Sequence, residues 1–280
     1  MSLPDEAKLP NPLSLALAPA CLFVLAHAGV AAAFMLLVRQ NLEGGHASVG
    51  TAMLHLGALL GCVMLGTTWA DRYWPSARQL ALAAGATIAY LLPLLGWAAG
   101  PSALVVSGGL SAGGLYLSVT KILRAGLGWI FFLSGLGGAL SGAWVTVLLN
   151  AEVYAHVLSY EFTILGWQAA DPVFHPAVAA LFRNYHVSTN GVDGTSPLFY
   201  HVLSHIVASG ASLEGGEILP YVYPPFIQVF ILPALLLGTS AAAVSLSDRQ
   251  LAHVWLIPFL IVFFWISSEW LGAFNSFLVS

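Results

Sequence analysis

Charge is what this sequence has least of. Of 280 residues, 8 are Lys or Arg and 12 are Asp or Glu, or 7% in all, whereas soluble domains carry about a quarter. With 59% of the chain hydrophobic, there is too little polar surface to clothe a water-soluble fold of this length. The few basic residues are scattered and the formal net charge is -4, which excludes a nucleic-acid patch and a polybasic lipid-binding tail. Cysteine is nearly missing as well. Cys21 and Cys62 both fall inside apolar runs, so neither a disulfide framework nor a thiolate metal site is expected. Carboxylates along the apolar runs are sparse, with Glu269 near the end of the last run as the nearest approach, which speaks against a pump.

What the sequence does have is long apolar runs. In lipid each segment must satisfy its own backbone, so runs of about twenty apolar residues read as spanning helices. They lie near Leu13 to Val38, Val49 to Trp69, Gln79 to Ala99, Ala103 to Thr120, Ala125 to Leu149, Tyr221 to Val244 and Leu251 to Phe274. The expected fold is therefore all-α, a polytopic transmembrane bundle of about seven spans. It divides into a five-span bundle over 1–149, a long loop with short surface helices over 150–220, and a two-span hairpin over 221–280. Ala26-His27-Ala28 has the look of a signal-cleavage site, but Asp5 and Glu6 precede it and the apolar stretch is long, so we read a retained span.

Orientation follows from the cations. A cytoplasmic N-terminus places Lys8, Arg72, Arg78, Lys121, Arg124 and Arg249 inside and leaves Arg39 and Arg183 outside. The long loop and the C-terminus then face the periplasm of a bacterial inner membrane. Glycines recur four apart at Gly57 and Gly61, Gly109 and Gly113, and Gly138 and Gly142, which suits close helix crossings. The run Gly108 to Gly114 lacks the Lys-Ser/Thr ending of a phosphate loop. Trp69, Trp74, Trp97, Trp167, Tyr221 and Tyr223 stand near span ends, where such rings anchor at the headgroups.

Most of the ionisable side chains outside the spans lie in the loop. Val153, Val157, Leu158, Phe162 and Leu165 recur at helical spacing, as in a helix lying on the membrane surface. Asp171 and Pro172 open a second short helix through about Tyr185. After a turn-rich stretch, His201 and His205 stand four apart on a third helical pattern. That is a two-histidine metal spacing, but Val202 occupies the place where a zinc protease needs Glu. The pair is either interfacial or part of a divalent-cation site completed by Asp171, His175 or Asp193. Asp193, flanked by glycines, is equally natural as a turn residue.

Asp171-x-x-Phe-His175, Asn184-Tyr185, Ser188 through Gly194, and Tyr200-His201-x-x-Ser204-His205 resemble a motif series in bacterial membrane proteins similar to the GT-C glycosyltransferases. The resemblance covers about a fifth of the chain. It implies sugar transfer from a polyprenyl-phosphate donor at the extracytoplasmic face, with Asp171 and His175 catalytic. Asp193, Tyr200, His201 and His205 would bind substrate. A carboxylate near the membrane surface can accept a proton from a hydroxyl, and histidines can neutralise a departing phosphate. The chain departs from that family in its span count, in the five spans that precede the loop, and in the lack of adjacent acids within the loop.

The contrasting expectation is a non-catalytic structural or accessory subunit of a larger membrane complex, respiratory or photosynthetic. Its partners would be lipids and other membrane subunits. No metal site or cofactor is assigned. His27 and His55, inside the first two runs, could ligate a haem or pigment or simply hydrogen-bond a neighbouring helix, the commoner use.

Overall fold

Helix is the only regular structure among the described residues, as backbone in hydrocarbon requires. The computed structural model describes residues 13–38, 46–152, 170–187, 202–216, 219, 222 and 226–246. The predicted loop helix near 153–167, the predicted last span from Leu251 and its Glu269 lie outside them.

Four helical stretches are long and apolar enough to cross a membrane: Leu13–Leu37, Ser48–Tyr73, Pro75–Arg124 and Gly128–Thr146. They are formed by α1 (Leu13–Val38), α2 (His46–Tyr73), α3 (Arg78–Leu91), α4 (Leu95–Ala99), α5 (Ala103–Arg124) and α6 (Gly128–Glu152). The 50-residue stretch folds back on itself. Gly66 meets Ala81 and Gly85 meets Cys62, so α3 runs back along α2. Gly57 meets Ser111 and Gly61 meets Gly114, so α5 runs in step with it. The reversal comes at Gly100, whose φ of 54° and ψ of -138° a β-carbon would disfavour. It falls between the third and fourth apolar runs of the sequence.

Glycine sets the closest crossings. A Cβ at Gly61 would collide with the Leu110 carbonyl, and one at Gly114 with the Gly61 backbone. On the other side, Gly138 and Gly142 lie against the Phe23 and His27 carbonyls, which makes α6 parallel to α1. Without a hydrophobic drive between helices in lipid, such contacts are what hold them together. The predicted pair Gly109 and Gly113 behaves differently, because both face open space and Gly114 makes the crossing instead.

Asp71 joins α1 to the end of α2. Its carboxylate accepts the backbone N–H groups of Leu13 at 3.1 Å and Ser14 at 2.9 Å and the Ser14 hydroxyl at 2.5 Å. It also pairs with Arg78 Nε at 2.6 Å. A helix leaves its first N–H groups unpaired, and here a side chain from another helix caps them and meets the positive end of the dipole. The α1 start, the α2 end, the α3 start and the α5 end therefore share one side of the bundle. Arg72, Arg78, Lys121 and Arg124 all lie there. Trp69, Tyr73 and Trp74 cluster at the same end, exposed, with the Arg72 guanidinium 5.2 Å from the Tyr73 ring centre.

Three further elements pack on this frame: α7 (Ala170–Tyr185), α8 (Val202–Gly215) and α9 (Leu232–Leu246), the last preceded by a π-helical turn, Phe226–Ile231. α7 has the extent that its Asp171-Pro172 opening predicts. It ends at His186, whose φ of 58° and N–H bond to the Phe182 carbonyl at 3.0 Å make a left-handed cap. α8 lies among α2, the α3–α4 corner and α7, and Ala208 through Ser212 are buried. Gly210 permits this, since a Cβ there would collide with the Pro93 carbonyl and crowd the Trp97 ring.

Candidate polar site within the bundle

α8 presents two polar faces because its residues turn about 100° apiece. His205, Ser209 and Ser212 form a stripe toward α7. His175 Nδ1 and His205 Nε2 lie 2.9 Å apart with the rings stacked at 5.1 Å, and both residues are buried. One nitrogen must donate and the other accept, so at least one of the rings is neutral. The Ser209 hydroxyl donates toward the Ala179 and His205 carbonyls at 2.6 Å each, and Arg183 donates to the Ser212 hydroxyl at 2.7 Å.

Glu214 leaves α8 from the opposite side, into the bundle. Its Oε2 lies 2.5 Å from His55 Nε2 on α2, with both side chains fully buried. On the far side of the imidazole, Nδ1 lies 3.5 Å from the hydroxyl of Ser107 on α5. Three helices distant in sequence thus meet through one histidine. Phe230 packs with its ring 6.0 Å from that of His55, and Tyr90 stacks on Phe230 at 6.2 Å. Gly96 on α4 makes room for the Glu214 chain, since a Cβ there would press on Glu214 Cγ.

His27 makes a third buried pair. Its Nδ1 lies 3.1 Å from the Ser141 hydroxyl on α6, the helix-to-helix bond that the sequence favours for it. His55 serves the same purpose through a stronger partner. Neither has further His, Cys, Asp or Glu neighbours able to complete a metal site among the described residues.

Of the sequence-predicted site residues, His175 and His205 come together as partners of each other. Asp171 stands in the first turn of α7, one turn ahead of His175, and its side chain lies outside what is described. Asp193, Tyr200 and His201 also lie outside the described residues. Trp97 turns out to be a clamp between helices, since its indole N–H donates to the Ile206 carbonyl at 3.3 Å and its ring packs on His186 at 5.1 Å.

Sequence reasoning missed Glu214, and with it the buried carboxylate whose absence spoke against proton handling. The signal was present in Ala208-Ser209-Gly210-Ala211-Ser212, a run of small residues that suits a tightly packed helix better than a surface one. Ser107 carried no signal of its own. Comparison with protein-family models, curated proteins and solved structures finds no match to this chain.

Proposed function

We propose that this protein is a non-catalytic subunit of a larger assembly in the bacterial inner membrane, with about seven crossings, a cytoplasmic N-terminus and an extracytoplasmic segment between 150 and 220. The carrying observation is how its buried histidines are used. His27, His55, His175 and His205 are each 2% exposed or less and each bonded to a side chain of another helix. Groups so engaged hold helices in register rather than wait for a substrate. The cationic end with Arg72, Arg78, Lys121 and Arg124 supports the orientation.

Purification in mild detergent tests this reading. A subunit co-purifies with larger membrane proteins in fixed stoichiometry, and a chain that is recovered alone and is active alone contradicts it.

The second reading is GT-C-type transfer of a sugar from a polyprenyl-phosphate donor, with Asp171 as base. It is favoured by the placing of Asp171 one helical turn before His175 on α7. Asp171→Asn would then abolish transfer while the protein stays in the membrane, and retained transfer removes the base assignment.

A further inference from the structure

The interior of the bundle holds a carboxylate that its surroundings do not saturate. Glu214 is 1% exposed; Oε2 is bonded to His55, while Oε1 meets no donor among the described residues. A second group without a partner among the described residues lies on the element that packs on His55. The π-helical turn that places Phe230 against His55 also carries Gln228, 2% exposed, with neither Oε1 nor Nε2 partnered. Bonded pairs are the rule for buried polar groups, and π-helical turns are frequent at functional sites.

We propose that His55 and Glu214, backed by Ser107, form a proton-binding site inside the bundle that takes up and releases one proton. This stands on the site geometry and does not depend on which reading of the overall function holds. With His55 neutral and Glu214 ionised, the couple carries one negative charge, Nε2–H donates to Oε2, and Nδ1 accepts the Ser107 O–H. In that state Oε1 is a buried anionic oxygen without a donor, a costly arrangement in low dielectric. Adding one proton makes the couple neutral overall, whether the proton rests on Nε2 or on Oε2. Nδ1 then carries the hydrogen and donates to Ser107 Oγ. The serine hydroxyl accepts in one state and donates in the other, so no heavy atom need move.

Among the described residues no second charge is placed to fix either state. The helices packed on α8 here bring His55 from α2 and Ser107 from α5, while α4 offers Gly96 and the Trp97 ring. Tyr90 from α3 stands behind Phe230, and Arg183 and His175 on α7 face the opposite side of α8. His55 stands seven residues from the Ser48 end of its span, roughly 10 Å along the axis and opposite the cationic end. The proton would therefore be exchanged with the water phase on that side.

Infrared difference spectra of the full-length protein in lipid nanodiscs, recorded between alkaline and acid solution, test the proposal. Acidification should give difference bands in the wild type, a carboxylic C=O band where the proton rests on Oε2 or shifted carboxylate and new imidazolium bands where it rests on Nε2, that are absent in Glu214→Gln, with one fewer proton taken up per chain. Ser107→Ala should weaken proton binding by up to about tenfold, because it leaves the new Nδ1–H unpaired. If Glu214→Gln cannot be recovered folded, the Ser107→Ala shift carries the test. A spectrum that Glu214→Gln leaves unchanged, or a band midpoint that Ser107→Ala does not move, overturns the proposal and leaves the couple as a fixed strut.

Discussion

Asp71 and Glu214 are both carboxylates held inside this bundle, and they are held in opposite ways. Asp71, with its side chain 9% exposed, receives two backbone N–H groups and a hydroxyl and pairs with Arg78. Glu214, with its side chain fully buried, has one bonded oxygen and one without a partner among the described residues. A carboxylate saturated with donors at one end of the bundle is a structural cap. One in the interior that shares a single hydrogen with an imidazole can change its charge. The number of donors around the oxygens, more than burial, separates the two roles.

Removing each group breaks the contrast from a different side. Glu214→Ala strips His55 of its partner and loosens α8 from α2, and should lower stability by about 3 kcal/mol in a thermal or denaturant titration in detergent. Asp71→Ala leaves the first N–H groups of α1 uncapped and should cost about 2 kcal/mol, the upper end for a lost cap, with proton uptake unchanged. Asp71→Asn sharpens the point, since it keeps an acceptor for the cap while losing the Arg78 pair, and about 1 kcal/mol is expected. His27→Phe, which removes only the bond to Ser141, should cost about 0.6 kcal/mol by the same titration, as single bonds between membrane helices do on average.

The fold was legible from the sequence wherever apolar length decides structure. α1, α2 and α6 fall where the runs over 13–38, 49–69 and 125–149 put them, and the third and fourth runs meet at the reversal marked by Gly100. Glycine spacing located two of three close crossings, but it cannot say which face of a helix is used, so Gly114 replaced Gly109 and Gly113. The polar site was legible only in part. His55 stood out as an ionisable residue in an apolar run, and His175 and His205 as loop histidines. Glu214 did not, because it lies 159 positions from its partner in a helix of only 14 residues. Periodicity sees neighbours along a helix, not side chains delivered by a different one.

The double-mutant cycle of His55→Gln and Glu214→Gln tests most directly whether these two side chains bind α8 to the bundle. The account predicts that the single substitutions fail to add, with a coupling energy of about 2 kcal/mol in unfolding titrations. Effects that add to within about 0.5 kcal/mol would contradict it, since residues not in contact behave that way.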